Sequence, residues 1–204
     1  MTCLNEINEV KLGNGTLVNG NNIVAMKKYP DTYFDNCISD FPYNLAFMGK
    51  EWDNQINFYD WCFKRAIELH RIIKHGGYAL IFGHHKTNYR MKCAFEDAGF
   101  NIVEEIDWIY GSGFPKNQDI SRIFDKKGNE ELSKEFEGWK TSGLKPAKEI
   151  ITIFQKPLDG TYINNISKHG CGAMNIESCR VEYKNENDLN LVKANVTLQR
   201  ILNQ

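Results

Sequence analysis

Long apolar runs and a secretory leader are the first features that the sequence lacks. No stretch of the 204 residues approaches the roughly 20 consecutive apolar residues that span a bilayer. Residues 1–10 contain no apolar segment behind positive charge, so a secretory signal is not expected. The composition, 42% hydrophobic and 25% charged, is that of an ordinary globular chain. Its length suits one packed α/β domain, or a domain with a large insertion.

Paired cysteines are also missing. The six cysteines are scattered, and none forms a Cys-x-x-Cys pair. This pattern favours reduced, mostly buried thiols and a cytoplasmic location over a disulfide scaffold. His169, Cys171 and Cys179 lie close together in the sequence. Their spacing matches no zinc ribbon or finger, so no metal site is predicted.

An excess of one charge is missing too, because the formal net charge is −1. The whole-chain charge therefore gives no sign of nucleic-acid binding, and only its distribution is informative. Between residues 116 and 148, lysines and arginines are interleaved with aspartates and glutamates. By itself that mixture is typical of a solvated surface.

Alternating strand and helix patterns indicate an α/β fold. Short apolar runs read as buried strands, and apolar residues at helical spacing read as amphipathic helices. A short strand is predicted at the start of 15–24, and further strands are predicted over 34–39, 78–82, 101–110 and 150–154. A short helix is predicted from Ile23 to Tyr29, longer helices over 58–74 and from Tyr89 to Gly99, and one weak helix over 189–202. Strands that alternate with helices predict βαβ units and a mostly parallel sheet.

Residues 111–145 have no clear strand and are too long for an ordinary connection. They are predicted to be a functional insertion or a small helical module. If the strand ending at Tyr110 is parallel to the others, this insertion leaves from the carboxyl edge of the sheet, where open α/β sheets bind ligands. Asp40 follows a strand at the same edge. The insertion and Asp40 are therefore both predicted to lie at the same, ligand-binding edge of the sheet.

The tetrapeptide Asp40-Phe41-Pro42-Tyr43 carries groups that suit the methylation of a base amine. Such an amine is a poor nucleophile, and a site that accepts both of its hydrogens favours a tetrahedral nitrogen with a free lone pair. Asp40 offers one acceptor, and the carbonyl of Phe41 offers a second, held extended because Pro42 restricts the residue before it. Stacking on Tyr43 is worth roughly 1–3 kcal/mol, which offsets part of the few kcal/mol that base flipping costs. A proline turn with Tyr43 in the core remains the alternative.

The chain resembles the DNA amino-methyltransferases of bacteria and their phages, in particular those whose target-amine motif precedes the cofactor motif. The resembling stretches are 18–31, 40–53, 75–83, 94–99, 108–116, 144–158 and 160–181, in that order along the chain. The resemblance implies that Asp40 and the Phe41 carbonyl bind the target amine and that Tyr43 stacks on the base. Pro42 lies between Phe41 and Tyr43 in the motif. Relatives have proline in place of Phe41. They commonly have aspartate in place of Asn21, a position near the cofactor.

The same resemblance implies a fold and a division of the chain. We expect a partial Rossmann-like methyltransferase sheet, mostly parallel, with an antiparallel edge strand and a helical or loop insertion. Residues 1–110 would be the catalytic half of the α/β domain, 111–145 a target-recognition insertion, and 146–204 the edge strand and a C-terminal extension. Within 111–116, two glycines permit close backbone approach, an aromatic ring wedges or stacks, and a lysine meets phosphate. These residues are Gly111, Gly113, Phe114 and Lys116.

The family's cofactor motif is absent from this sequence. S-adenosylmethionine binding requires a strand, a Phe-x-Gly-x-Gly turn and an acidic residue, and no such segment occurs. The expected function is methyl transfer from S-adenosylmethionine to an exocyclic amine of double-stranded DNA, adenine N6 before cytosine N4, as in restriction-modification. A second chain or a missing C-terminal segment would carry the cofactor motif. A non-catalytic or split-subunit DNA-binding fragment is the alternative, and an enzyme acting on RNA or a protein amide is a third possibility.

Overall fold

The computed structural model describes residues 7–113, 117–144, 147–187 and 190. The chain divides into two compact units, Met1–Gly172 and Ala173–Gln204. In the second unit the described structure includes a single 3-10 turn, Glu177–Cys179. A weak helix expected over 189–202 falls almost wholly outside the described residues. Within the described part of the chain, no helix is long and apolar enough to cross a membrane.

The first unit contains six strands and six helices within its described residues. The strands are β1 (Asn8–Leu12), β2 (Gly15–Asn19), β3 (Cys37–Asp40), β4 (Tyr78–Gly83), β5 (Asn101–Ile109) and β6 (Lys148–Gln155). The helices are α1 (Asn22–Met26), α2 (Phe58–Ile72), α3 (Asn88–Asp97), α4 (Ile120–Lys126), α5 (Glu130–Glu135) and α6 (Tyr162–His169). Two 3-10 turns, Phe47–Gly49 and Glu51–Asp53, follow β3.

The main sheet has four strands in the order β3-β4-β6-β5. β3 and β4 are parallel, whereas β6 is antiparallel to both of its neighbours, β4 and β5. The α/β class is therefore confirmed, but the expectation of a mostly parallel sheet is wrong. β6 lies inside the sheet, so it is also not the edge strand expected within 146–204. Its apolar run indicated burial correctly, but burial on both faces suits any interior strand and does not fix its direction.

The core lies between this sheet and helices α2 and α3. The buried side chains of α2 recur at helical spacing: Phe58, Cys62, Ala66, Leu69 and Ile72. They pack with Ala79 and Ile81 of β4 and with Phe95 of α3 in one cluster. Burial of each large apolar side chain contributes about 1.5–3 kcal/mol, so this layer anchors the strand that precedes Asp40.

Gly83 ends β4 where α3 crosses the sheet. A Cβ atom at this position would lie 2.5 Å from Oδ1 of Asn88, which is too close for any real contact. The Asn88 amide is buried there and donates to Oε1 of Glu105 at 2.7 Å and to Oγ1 of Thr152 at 3.1 Å. The glycine therefore lets a polar bridge form between α3 and the two last strands.

The elements β1 and α6 have no counterpart among the predicted ones, whereas β2 corresponds to the strand predicted at the start of 15–24. β1 and β2 form an exposed antiparallel hairpin, and α6 follows β6. Residues 111–145 contain the helices α4 and α5, which are joined by contact between the rings of Phe124 and Phe136 at 5.8 Å. The insertion is thus helical where it is described.

Candidate active site

Asp40 is the last residue of β3 and pairs in register with Phe82 of β4. It lines a pocket of about 740 Å³ at the carboxyl edge of the parallel strand pair. The other lining residues are Phe41, Pro42, Tyr43, Leu45, Phe47, Trp52, Asp53, His84, Tyr110, Ser112, Lys148 and Glu149. The four residues of the tetrapeptide therefore line a single cavity.

The Phe41 side chain points into the core. Only 5% of the residue is exposed. Its ring meets Trp61 edge-on at 5.3 Å and Phe95 at 5.9 Å. Two consecutive prolines would stiffen the backbone through their rings, whereas here an aromatic anchor packed against α2 and α3 holds the same position. The backbone carbonyl of Phe41 therefore belongs to a residue whose side chain is held in the core.

Tyr43 is half-buried beside His84, with ring centroids 6.0 Å apart and ring planes inclined by 33°. Its carbonyl accepts a hydrogen bond of 2.7 Å from Oγ1 of Thr87, which ties the tetrapeptide to the start of α3. Burial raises the pKa of the Tyr43 phenol, and the neighbouring carboxylates of Asp40 and Glu149 raise it further. The phenol is therefore neutral over the physiological pH range and is available as a hydrogen-bond donor.

Asp53 organises the loop that follows Tyr43. This carboxylate is 2% exposed and accepts hydrogen bonds from three backbone amides. The distances are 2.7 Å from Asn44, 3.1 Å from Leu45 and 2.9 Å from Phe47. Ala46 and Met48 in this loop have φ of +53° and +50°, a left-handed conformation that costs residues other than glycine, asparagine and aspartate energy. The buried charge holds this strained turn, which places Leu45 and Phe47 on the pocket wall.

The opposite wall comes from the ends of β5 and β6. Lys148 and Glu149 begin β6, while Tyr110 and Ser112 follow β5. Sequence reasoning missed all four, and it missed Asp53 as well. Lys148 and Glu149 reach the pocket only because β6 is antiparallel, so that its first residues lie at the edge where β4 ends. A periodic pattern contains no such information, although Tyr110 and Ser112 flank the glycine segment that was singled out.

The remaining predicted residues lie in different places. The Asn21 side chain caps α1 by accepting from the Ile23 amide at 3.0 Å, and Asn21 is not among the described residues that line the pocket. Gly111 and Gly113 flank the pocket residue Ser112. Phe114 and Lys116 lie outside the described residues.

The described glycines differ in the space around them: nothing lies within 4 Å of a Cβ added at Gly49 or Gly111, whereas three others are closely packed. A glycine that admits a cofactor leaves open space where its Cβ would be. The tightest glycines here, Gly76, Gly77 and Gly83, instead meet protein atoms of Asn165, Asp35 and Asn88. Three carboxylates, Asp40, Asp53 and Glu149, lie around the pocket. The described residues that line the pocket therefore offer hydrogen-bond acceptors of the kind that a base amine needs. None of the described His, Cys, Asp and Glu side chains form a group suited to a metal ion.

Three comparisons relate the chain to known proteins. Residues 34–199 match the family model of the N6/N4 DNA methylases. The Type II methyltransferase M.HindIII of Haemophilus influenzae is 28% identical over 145 residues, which is 69% of this chain and 47% of that enzyme. The chain thus spans about half the length of this curated relative.

Solved structures of low sequence identity also match. The cytosine-N4-specific PvuII DNA methyltransferase is 15% identical with a TM-score of 0.45, covering 76% of this chain and 62% of that one. The M1.HpyAVI complex with SAM is 16% identical with a TM-score of 0.38, covering 65% and 48% respectively. Because the family model matches most of its length, this chain belongs to the N6/N4 DNA methylase family.

Proposed function

We propose that this chain supplies the target-base half of a DNA amino-methyltransferase, acting on adenine N6 in preference to cytosine N4. The observation that carries the proposal is the single pocket in which Asp40, the Phe41 backbone and Tyr43 lie together. Its volume of about 740 Å³ is within the usual range of small-molecule sites. The adenine preference rests on the aspartate that begins the motif and is modest, because both amines need the same acceptors.

The chemistry assigned to this chain is the preparation of the amine. The Asp40 carboxylate accepts one amine hydrogen and the Phe41 carbonyl accepts the other, which moves the nitrogen toward a tetrahedral geometry and frees its lone pair. Tyr43 stacks on the flipped base. The methyl donor of the family is S-adenosylmethionine, and we assign its binding to polypeptide outside the described residues.

The DNA itself is assigned to the segment that begins at Gly111. The two glycines there allow the backbone to approach the duplex closely, and Phe114 and Lys116 are proposed to contact the target base and a phosphate. The helices α4 and α5 would then form part of a target-recognition region. We propose double-stranded DNA as the substrate and restriction-modification as the biological setting.

The decisive experiment replaces the gene in its own host, where any additional polypeptide is present. Single-molecule sequencing would compare N6-methyladenine and N4-methylcytosine in the wild type, an Asp40→Ala strain and an Asp35→Ala strain. Asp35 is a matched control because it is exposed and pairs with Lys74 at 2.6 Å. We expect methylation of one sequence motif to fall about a hundredfold or more in Asp40→Ala only. A methylome that is identical in all three strains would leave a non-catalytic DNA-binding module.

Binding of the methyl donor gives a second test. Calorimetry of the 204-residue chain alone with S-adenosylmethionine should show no binding in the micromolar range, because the Phe-x-Gly-x-Gly motif is absent from its sequence. Micromolar binding by the isolated chain would contradict the assignment of the cofactor to other polypeptide.

A further inference from the structure

The loop that follows Tyr43 exposes several large apolar side chains. We call residues 44–56 the apolar loop. Within it, Phe47 is 60% exposed, Met48 is 79% exposed and Trp52 is 57% exposed. Single exposed apolar residues are ordinary on a protein surface, but a group of them on one short loop marks an interaction site.

The apolar loop is held in one conformation by its own hydrogen bonds. The buried Asp53 carboxylate accepts from three backbone amides of the loop. In addition, the Asn44 side chain accepts from the Gln55 amide at 2.6 Å, and the Ala46 amide donates to the Asp53 carbonyl at 2.9 Å. These bonds fasten the two ends of the loop to each other. Its apolar side chains therefore stay exposed instead of collapsing onto the core.

Met48 lies in the turn Phe47–Gly49 in a strained conformation. Its φ is +50°, a left-handed value that is unfavourable for a residue with a long side chain. Gly49 follows with a φ of +67°, and a Cβ atom there would meet nothing within 4 Å. The turn thus combines a large exposed side chain with open space beside its backbone. A backbone outlier of this kind points to a functional position.

The apolar loop forms part of the rim of the target-base pocket. Phe47 and Trp52 line the pocket together with Tyr43. Met48 follows Phe47 directly but is not among the described residues that line the pocket. Its side chain therefore lies beside the entrance. A base that enters this pocket from a duplex stays attached to its strand, so it brings the neighbouring base pairs against this part of the loop.

A duplex that has lost one base from its stack contains an apolar gap. The cost of removing the base has to be offset by new contacts. Proteins that unstack base steps do so with apolar wedges, among them methionine, leucine and phenylalanine. Met48 has the size, the polarity and the exposure of such a wedge, and its unbranched side chain adapts to a gap of irregular shape.

We propose that Met48 enters the DNA stack in the space that the target base leaves, while Phe47 and Trp52 cover the extruded base at the rim of the pocket. This inference rests on the proposed function for the identity of the ligand. Asp53 is then a positioning residue, because its carboxylate fixes the loop that presents Met48. The contact forms only when a base is out of the stack, so it favours the extruded state over the paired one.

The test uses the tagged chain purified from its own host, together with any polypeptide that accompanies it. The probes are short duplexes with randomised flanks around one central adenine, which either pairs with thymine or faces a pyrene nucleotide. The large pyrene ring fills the stack and displaces the adenine. A second pair of probes has cytosine in the place of adenine.

Loss of the Met48 side chain should weaken binding to the paired probes and spare binding to the pyrene probes. For the best-bound paired sequences, Met48→Ala and Met48→Gly should each weaken binding about tenfold or more, because burial of a methionine side chain is worth at least that factor. Pyrene should restore most of the loss with one of the two target bases, because it takes the place of the wedge.

The matched controls are Met48→Leu and Ile163→Ala. Leucine keeps the apolar volume, and Ile163 is exposed on α6 and is not among the described residues that line the pocket, so both variants should bind as the wild type does. Glycine adopts the φ of Met48 without strain, so Met48→Gly should not lower the melting temperature. Weak binding by that variant would then not result from misfolding.

Unchanged binding by Met48→Gly would overturn the inference. An equal loss of binding to the paired and the pyrene probes would overturn it too, because a wedge acts by filling the stack. Absence of DNA binding by the wild type has the same consequence. So does loss of an accompanying polypeptide from Met48→Gly during size exclusion, because the loop would then bind protein.

The host methylome separates this inference from the proposed function. Binding that Met48→Gly loses and pyrene restores, in a chain whose Asp40→Ala strain keeps the wild-type methylome, would support the wedge and refute methyl transfer. Methylation that depends on Asp40, with unchanged DNA binding by Met48→Gly, would refute the wedge alone.

Discussion

Replacement of Asp53 by asparagine should destabilise the loop behind the target-base pocket. The Oδ1 atom accepts from the Asn44 amide at 2.7 Å, and Oδ2 accepts from the amides of Leu45 and Phe47 at 3.1 and 2.9 Å. Asparagine has one acceptor oxygen and one NH₂ group. Whichever way its amide turns, it loses at least one of these bonds and directs a donor at a donor.

The size of the effect follows from the charge and the burial of this group. Hydrogen bonds to a charged partner contribute about 1.5–3 kcal/mol each, and an amide that is left buried without a partner costs about 1–3 kcal/mol. One lost bond together with one donor conflict predicts that Asp53→Asn lowers the free energy of unfolding by about 2.5–6 kcal/mol. Asp53→Ala removes all three bonds and should lower it further.

Urea denaturation of both variants measures this loss directly, with the m-value as a check that the unfolding transition is unchanged. Asp125→Asn is the matched control because Asp125 is exposed on α4, and it should stay within about 0.5 kcal/mol of the wild type. Hydrogen exchange of the Asn44, Leu45 and Phe47 amides should accelerate in Asp53→Asn. Stability within about 0.5 kcal/mol of the wild type, with slow exchange retained, would refute the assignment of this loop to Asp53.

Three further predictions follow from charges and close contacts. Glu149→Gln should lower the pKa of Tyr43, because the Glu149 carboxylate is one of the two that, together with burial, raise it. The near-ultraviolet absorbance of tyrosinate measures this shift, and Tyr43→Phe identifies which part of the signal belongs to Tyr43. An unchanged titration in Glu149→Gln would contradict the prediction. Hydrogen bonds from Lys168 and His169 lower the pKa of Asp159 from its ordinary value of 3.8 to about 2. The stability that this carboxylate adds is therefore present above pH 3.8 and is lost as the pH falls toward 2. Chemical denaturation across that range should show the wild type losing its advantage over Asp159→Asn there, and a constant difference would argue against it. Gly83→Ala should lower the free energy of unfolding by about 1–3 kcal/mol through overpacking. Gly111→Ala is the control, because a Cβ there meets nothing within 4 Å, and it should change thermal stability little. Equal stabilities for the two variants would contradict this prediction.

Local patterns in the sequence were sufficient for most individual elements. Helix α2 was predicted over 58–74 and is Phe58–Ile72, and β4 was predicted over 78–82 and is Tyr78–Gly83. Apolar spacing carries this information because one face of each element is buried. The two-stranded hairpin before α1 was not predicted as a pair. The strand β2 was predicted within 15–24, but both strands are exposed, so no burial pattern reveals β1 as its partner.

The tetrapeptide shows how far sequence reasoning reached into the candidate site. Asp40-Phe41-Pro42-Tyr43 was singled out for its acceptor groups and its aromatic ring, and all four residues line the same pocket. The roles proposed for them stay a prediction. The burial of the Phe41 side chain in the core was not evident from the sequence. Only the packing against Trp61 and Phe95 shows that the residue between Asp40 and Pro42 is anchored in the core.

The sequence by itself therefore determined the elements, the α/β class and the residues able to hold a base amine, because these depend on local spacing and on side-chain chemistry. Tertiary structure decided the direction of β6, and with it the arrival of Lys148 and Glu149 at the pocket. It also decided that Asp53 is buried against three backbone amides, and that the edge of β3 beside Asp40 is open among the described strands. Lys148 and Glu149 are far from Asp40 in the chain, and only the folded sheet brings them together. The Asp53 turn closes over six to nine residues, through contacts that no periodic pattern encodes.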